Sequence, residues 1–343
     1  MTAPVERGPA APTPARPAAA PGGAGDSKAS GGSPAVAGRL GLGVWVALAV
    51  VYVVWGSTYL AIRIAVETMP SFLSAAARFL TAGLLLAGFV AVRHGRAGFR
   101  VNLRQLGSAA LVGVLLLTGG NGLVVLGEMS VPSGLTALLV AVVPLWMVLL
   151  GAAGGDRPKR AELAGVLLGL AGLAVLSAPA IGGDIAPAGV VAIIAATVAW
   201  ASGSFASKRC TMPANVFASS AYQMLIGGLG NLLIGLARGE ERGLHLGEVS
   251  TRSWLALAYL VVFGSLVAFT AYAWLLRSAP LTLVGTYAYV NPVVAVLLGW
   301  LVLAEPLTGP TLVGGAVVVA GVCLVVSVSR SSARSSTRRP ARK

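Results

Sequence analysis

The chain has 343 residues, of which 56% are hydrophobic and only 10% are charged, and its mean hydropathy is +0.84. These values lie outside the range of soluble globular domains and predict a membrane protein surrounded by lipid. The formal net charge of +14 comes mostly from Lys and Arg in the two tails and in short loops. These residues form no basic face of the kind that binds nucleic acid, which excludes that class of partner.

Residues 1–40 are rich in Ala, Pro and Gly, with a few scattered charges. Such a stretch buries too little apolar surface to offset the entropy of ordering, so we expect a disordered tail. The first apolar run begins near Val44 and is long enough to span a bilayer, which favours a transmembrane helix over a signal peptide. At the other end, residues 330–343 are predicted to be a basic tail that rests on anionic lipid.

Between these tails, apolar runs of about 20 residues, the length that crosses ~30 Å of hydrocarbon, recur about ten times. The predicted spans are 44–66, 71–92, 107–128, 133–153, 161–178, 187–207, 214–237, 253–276, 281–303 and 309–329. The predicted fold class is therefore an all-α polytopic membrane protein with ten transmembrane helices.

The loops predict how these helices are oriented. The loops after the second, fourth, sixth and eighth predicted helices hold ten Lys and Arg residues, whereas the alternate loops hold three. Lys and Arg accumulate on the cytoplasmic side of membrane proteins. Both termini are therefore predicted to be cytoplasmic, in a multi-pass protein of the plasma membrane.

The two halves of the chain resemble each other. Residues 55–63 align with residues 200–208 without a gap, Trp on Trp. Two prolines then recur in each half with identical spacing: Pro132 and Pro144, and Pro280 and Pro292. Because a unit of five helices is odd, the second copy enters the membrane from the opposite side. The pattern predicts a 5+5 inverted repeat over residues 44–178 and 187–329, which is typical of secondary transporters that work by alternating access.

Four segments carry a resemblance to a known family: WGSTYLAIRI, RFLTAGLLL, SGLTALLVAVVPLW and TYAYVNPVVAVLLGWLVLAEPLT. They resemble the EamA-domain proteins of the drug/metabolite transporter superfamily, over residues 44–329. The resemblance implies two EamA domains and the export or exchange of small metabolites, commonly amino acids. It also implies a central cavity among helices 3, 4, 8 and 9, with helices 5 and 10 peripheral. An acidic residue often follows the fourth and ninth helices in that family; Glu305 fits, whereas Asp156 does not and is given no role.

Polar side chains near the middle of two spans are candidates for a substrate site. Thr118 and Asn121 lie centrally in the third span, and Tyr287 and Asn291 lie in the ninth. An amide that faces lipid at that depth is costly, so Asn291 should face protein or a wet cavity. The two glycines between Thr118 and Asn121 would let a substrate approach the backbone, although close helix packing explains them equally well.

Aromatic residues form a second group of candidates. Three tryptophans lie near the midplane of their spans instead of at the interfacial belt: Trp55, Trp146 and Trp200. We expect them to line a cavity, with simple packing as the alternative. A spacing of four residues places Tyr59 on the face of Trp55 and Ser204 on the face of Trp200, with Thr58 off that face.

Two prolines near the centres of their spans, Pro144 and Pro292, are predicted hinges, because each removes a helical hydrogen bond. A static kink is the alternative. The GxxxG motif at Gly165–Gly169 favours either close packing within the chain or a homodimer contact.

Arg78 is the one clearly intramembrane cation. A central Arg costs ~2.5–3.5 kcal/mol in a membrane, so it should be paired or face water. Two interpretations stay open. Arg78 attracts the carboxylate of a substrate, or it forms an ion pair with Glu128 or Glu67.

We therefore predict an exporter of small metabolites, with amino acids as the leading substrate and a sugar, a drug or a lipid-linked sugar as alternatives. A channel would need rings of charge or carbonyl groups, and an enzyme a mid-membrane His or carboxylate pair, neither of which is evident. The two cysteines and two histidines lie far apart, so no metal, cofactor or catalytic residue is predicted. No carboxylate lies deep in a span, which favours facilitated movement over proton coupling.

Overall fold

The computed structural model describes residues 41–131, 136, 139–155, 159–177, 187–303 and 309–336. Regular structure within these residues is helical, and no strand occurs among them. The predicted tail at 1–40 lies outside the described residues, as do Pro132, Asp156 and Glu305.

The helices are α1 (Leu42–Val66), α2 (Ser71–His94), α3 (Leu103–Glu128), α4 (Val143–Ala153), α5 (Arg160–Ser177), α6 (Pro187–Arg209), α7 (Val216–Ala237), α8 (Thr251–Ser278), α9 (Tyr287–Leu303) and α10 (Gly309–Ser336). Six of them, α1, α2, α3, α6, α7 and α8, are long and apolar enough to cross a membrane. The chain is thus a multi-pass helical membrane protein. Because α10 continues to Ser336, the first part of the predicted basic tail is helical.

Side-chain caps hold the helix ends at two faces of the bundle. The upper face carries the C-terminal ends of α1 and α3, and the lower face carries the C-terminal ends of α2, α6 and α8. On the upper face, Glu240 accepts hydrogen bonds from the backbone N–H groups of Phe72 (2.9 Å) and Leu73 (3.0 Å). These donors have no partner inside α2, and the helix dipole favours a carboxylate there. On the lower face, Asn102 caps α3 and Asn215 caps α7.

Helices α5 and α10 pack backbone against backbone along what we call the glycine seam: Gly165, Gly169, Gly172, Gly314 and Gly321. A Cβ atom at Gly321 would lie 2.7 Å from the Gly169 nitrogen, and one at Gly172 would lie 2.6 Å from the Val318 nitrogen. Only glycine permits such an approach. The Gly165–Gly169 motif is thus occupied within the chain and is not free for the dimer contact that the sequence left open.

The predicted fourth span is interrupted instead of bent. The chain is helical at residues 139–140, turns at residues 141–142 and enters α4 at Val143. Pro144 therefore lies in the first turn of α4. A proline removes no hydrogen bond at that position, because the first N–H groups of a helix have no partner inside it. The predicted mid-helix kink at Pro144 is wrong, and the proline marks where the helix restarts.

The predicted ninth span is also interrupted, but ahead of its proline. A short helix at Leu281–Gly285 ends at Thr286, and α9 begins at the next residue. Pro292 lies inside α9. The hinge at Pro292 stays a prediction, and the break in this span lies at Thr286, whose hydroxyl donates to the carbonyl oxygen of Leu283.

Helices α3 and α8 both change to a π-helical geometry at their middles, over Val114–Gly122 and Leu260–Phe269. The longer hydrogen-bond spacing of a π-helix alters which carbonyls and side chains face each neighbour, and such segments often mark functional sites. Other helices bind these carbonyls. Asn231 Nδ2 donates to the oxygen of Leu117 (3.0 Å), and Trp55 Nε1 donates to the oxygen of Gly264 (3.1 Å).

Candidate functional site

A cavity lies among α1, α2, α3, α6, α8, α9 and the residues that lead into α4. Seven side chains that the sequence singled out line it: Trp55, Tyr59, Arg78, Asn121, Trp200, Tyr287 and Asn291. Among the described residues, α5, α7 and α10 contribute none of the lining.

The cavity also has lining residues that the sequence did not single out, including Thr58, Phe79, Thr197, Gly264 and Phe269. The expectation that Thr58 faces away is wrong. Residues three apart also share a helix face, and Thr58 lies three residues after Trp55. That spacing was available in the sequence. Gly264 and Phe269 carry no local signal of this kind, because the π-helical segment of α8 sets their direction.

Asn291 joins α9 to α1. In the amide orientation that satisfies both of its groups, Nδ2 donates to the carbonyl oxygens of Tyr287 (3.0 Å) and Tyr52 (3.2 Å). Asn291 is 1% exposed, so it satisfies backbone groups near a break in the helix while one side of it borders the cavity.

Four aromatic rings close the cavity toward the lower face, and we call them the aromatic floor: Trp55, Trp200, Tyr272 and Tyr287. Ring centroids in this group are 4.9 to 5.7 Å apart for five pairs, and three pairs meet edge to face. Aromatic rings prefer these distances and angles. Tyr272 is fully buried, and its hydroxyl accepts a hydrogen bond from Trp200 Nε1 (3.1 Å) and pairs with Ser204 Oγ (2.6 Å).

Arg78 forms no ion pair within the described residues, so the predicted pairing with Glu128 or Glu67 is not observed there. The guanidinium Nε donates to Ser265 Oγ (2.9 Å), and its carbon lies 4.8 Å from the centroid of the Phe79 ring. The side chain is 6% exposed and borders the cavity. The cation is thus held by neutral groups alone in the described part of the chain.

The glycines beside Asn121 serve helix packing. A Cβ atom at Gly120 would lie 2.6 Å from the Trp200 ring, and one at Gly119 would lie 3.0 Å from Ala199. Asn121 itself borders the cavity, and its Oδ1 is buried with no hydrogen-bond partner in the described structure.

Thr118 lies outside the cavity lining. Its hydroxyl donates to the carbonyl oxygen of Gly227 in α7 (3.0 Å). In a regular α-helix Thr118 would share a face with Asn121, three residues on. Both residues lie in the π-helical part of α3, where each residue turns the helix less, so their directions diverge.

Trp146 and Ser204 also lie behind the cavity. Trp146 Nε1 donates to Thr197 Oγ1 (3.1 Å), and Thr197 is the residue that borders the cavity. Ser204 lies one turn below Trp200 on α6 and donates to its carbonyl oxygen (2.7 Å). The aromatic floor fills the space that Ser204 was expected to line. Pro144 and Pro292 are not among the cavity residues either.

A second cleft lies on the other side of the aromatic floor. Along α6 the cavity lining stops at Trp200 and the cleft begins at Phe205; along α8 the corresponding residues are Phe269 and Leu276. We call this space the lower cleft. The bundle therefore has an upper cavity and a lower cleft with packed aromatic rings between them.

Comparison with known proteins identifies the class to which this fold and cavity belong. Residues 41–178 and 187–327 each match the EamA-like transporter family. The chain belongs to this family, and with it to the drug/metabolite transporter superfamily. It is a membrane transporter by family.

Individual relatives agree. The protein named "Uncharacterized inner membrane transporter YedA" of Escherichia coli (strain K12) is 40% identical over 74% of this chain and 80% of its own length. The protein named "Probable terminal-alkyne amino-acid exporter" of Streptantibioticus cattleyicolor is 28% identical over 84% of this chain and 94% of its own. A crystal structure with 23% identity has a TM-score of 0.68, over 84% of this chain and 98% of that chain, and supports the fold alone.

Proposed function

We propose that this protein is a secondary transporter that exports small metabolites, with amino acids as its leading substrates, by alternating access across the plasma membrane. The observation that carries the proposal is the separation of the upper cavity from the lower cleft by the aromatic floor. A solute in the cavity is blocked toward the lower face, so its passage requires the floor to open. That requirement distinguishes a carrier from a channel, which needs a continuous wet pore.

We further propose that the chain has ten transmembrane helices in two inverted repeats, over residues 44–178 and 187–329. The family matches twice, once in each half. The π-helical segments occupy α3 and α8, which are equivalent positions in a 5+5 repeat, and the interrupted spans that lead into α4 and α9 are equivalent as well. With this repeat and the loop charges, both termini are cytoplasmic and the upper face is external.

The amino-acid assignment is supported by one relative, whose name describes an amino-acid exporter, and by the mixed chemistry of the cavity. Aromatic rings and aliphatic side chains offer an apolar surface, whereas Tyr59, Arg78, Asn121 and Asn291 offer polar groups. Pockets with a mostly apolar lining and a few placed polar groups bind small, partly apolar solutes.

The test is counterflow of a labelled solute panel in liposomes that contain the purified full-length protein, with and without an imposed pH gradient. The panel comprises the amino acids, hexoses and cationic drugs. We expect saturable counterflow of amino acids that the pH gradient leaves unchanged. Movement of sugars or drugs alone would exclude the amino-acid assignment, and dependence on the gradient would exclude facilitated transport.

Two cavity variants connect transport with this site. Asn291→Leu and Trp200→Ala should each lower counterflow at least about 10-fold, because each removes hydrogen bonds and packing around the cavity, with a cost of roughly 1–4 kcal/mol. Leu255→Ala is the matched control, since Leu255 is 67% exposed on the outside of α8. Gel filtration and circular dichroism report whether each variant is folded. Full activity in both folded cavity variants would exclude this cavity as the route.

A further inference from the structure

Arg78 is the one charged residue that lines the cavity in the described structure. Ser265 accepts from its Nε, which leaves four of the five guanidinium N–H donors without a side-chain acceptor in the described residues. The Phe79 ring contributes a cation–π contact and no counter-charge. A cation that is 6% exposed, borders a cavity and lacks an anionic partner calls for an anion from outside the described chain.

The position of this guanidinium is set by the backbone of α8. A Cβ atom at Gly264 would lie 2.8 Å from Arg78 Nη2 and 3.2 Å from the Thr58 methyl group. The absence of a side chain at Gly264 therefore makes room for the guanidinium at the cavity wall. Ser265, the next residue, then holds Nε. Two adjacent residues of the π-helical segment thus fix the position of the cation at the cavity wall.

Asn121 supplies the complementary group. Its Oδ1 is buried without a partner in the described structure, and a buried acceptor without a donor is costly. Asn121 and Arg78 line the main cavity, and both also line a smaller adjoining void toward the upper face. An unsatisfied acceptor and an unneutralised cation therefore border the same space.

Resting on the transport function proposed above, we propose that Arg78 binds the carboxylate of the transported solute and that Asn121 accepts a hydrogen bond from a donor next to that carboxylate. An α-amino acid has both groups on one carbon. Its side chain would then lie toward Phe79 and the aromatic floor, which favours apolar side chains. The inference assigns a carboxylate subsite to the cavity and excludes decarboxylated amines and amides as good ligands.

The experiment measures binding by calorimetry to the purified full-length protein, independently of transport. The probes are L-leucine and L-phenylalanine, the carboxamide of each, and 4-methylpentanoate, which is leucine without its amino group. We expect each amino acid to bind about 10- to 100-fold more tightly than its carboxamide, as is usual for hydrogen bonds to a charged group. Arg78→Gln should abolish that preference, because it weakens the binding of the acids and leaves the binding of the carboxamides unchanged. Arg78→Lys should retain part of the preference.

Two further variants make the test specific. Asn121→Leu should weaken the binding of leucine and leave the binding of 4-methylpentanoate unchanged, because 4-methylpentanoate has no donor for Oδ1. Arg252→Gln, which removes an exposed cation at the upper end of α8, is the matched charge control and should retain the full preference for acids. Equal affinity for acid and amide in the unmodified protein, or an unchanged preference in Arg78→Gln, would overturn the proposal.

Failure of this inference and failure of the transport function give different results. Counterflow of uncharged solutes without binding of any acid would leave the transporter and remove the carboxylate subsite. Binding of acids that depends on Arg78, without counterflow of any solute, would retain the subsite and remove the transport function. Binding of chloride with the same Arg78 dependence and the same affinity as the amino acids would show that Arg78 takes any anion, and would also overturn the proposal.

Discussion

Tyr272 links the two tryptophans of the aromatic floor, although it does not border the cavity. Its hydroxyl accepts a hydrogen bond from the indole N–H of Trp200 and is hydrogen bonded to Ser204. The centroid of its ring lies 4.9 Å from that of Trp55. The residue thus joins α8 to α6 by hydrogen bonds and to α1 by ring packing. The orientation of the Trp200 side chain, and with it the closure of the cavity, depends on this buried phenol.

Tyr272→Phe should therefore lower stability by about 1–3 kcal/mol, because it leaves the partly buried Trp200 N–H without its acceptor. Thermal unfolding in detergent measures the loss. Tyr222→Phe is the control, since the Tyr222 hydroxyl donates to a backbone oxygen, that of Phe99, far from the cavity. We expect the control to lose less, about 0.5–1.5 kcal/mol. An equal or smaller loss in Tyr272→Phe would mean that the floor does not depend on this hydroxyl.

At the level of single residues, the sequence is informative where polarity or ring size is costly in lipid. Trp55, Arg78 and Asn291 stand out for that reason, because lipid gives such groups no partner. Tyr272 does not, because a tyrosine near a helix end is common and its partners lie 68 and 72 residues away. Contacts at that separation depend on which helices become neighbours, and periodicity within one helix does not contain that information.

Among the helices, α5 and α10 approach each other closely along the glycine seam. Its members lie in both halves of the chain, at residues 165–172 and 314–321. Side chains cannot enter such an interface without separating the helices. Overpacking of a tight contact costs typically 1–3 kcal/mol.

Gly321→Leu should accordingly destabilise the folded protein by about 1–3 kcal/mol or more, since its Cβ atom alone would meet the Gly169 nitrogen at 2.7 Å. Gly88→Leu provides the matched control, because a Cβ atom at Gly88 meets nothing within 4 Å. Thermal unfolding compares the two variants, and light scattering reports their oligomeric state. A normal melting temperature for Gly321→Leu would mean that α5 and α10 are not packed in this way.

Helix type was predictable from apolar length, but the shape of the helices was not. The runs near 133–153 and 281–303 predict continuous spans, whereas the chain breaks at residues 141–142 and at Thr286. Pro144 signals an irregular span but lies just after the break, because proline is well tolerated in the first turn of a helix. The π-helical segments of α3 and α8 left no such signal, and they explain why Thr118 turns away from Asn121.

For the whole molecule, the proposed orientation puts the lower cleft in contact with the cytoplasm and the loop that follows α7 outside. Cys210 lies at the lower end of α6 and borders the lower cleft. Gly247 lies in the loop between α7 and α8, and a Cβ atom there meets nothing within 4 Å. Labelling of a cysteine at each of these two positions therefore reports on opposite faces of the membrane.

In intact cells, a membrane-impermeant maleimide should label Gly247→Cys in a Cys210→Ser, Cys323→Ala background. It should leave Cys210 unlabelled in a Cys323→Ala background until the cells are permeabilised. This outcome follows from the excess of Lys and Arg on the lower face. The reverse pattern would invert the orientation and make the upper cavity the cytoplasmic one.

The glycine seam also bears on how a duplicated chain can move. Backbones that touch at glycines leave little room for one helix to slide on the other, so the last helix of the first half and the last helix of the second half should move as one rigid unit. Rearrangement is then left to the other helices, among which α3, α8 and α9 have a π-helical segment or a preceding break and also line the cavity. We therefore expect the pivot of the transport cycle at the periphery of the molecule, on the side away from the solute.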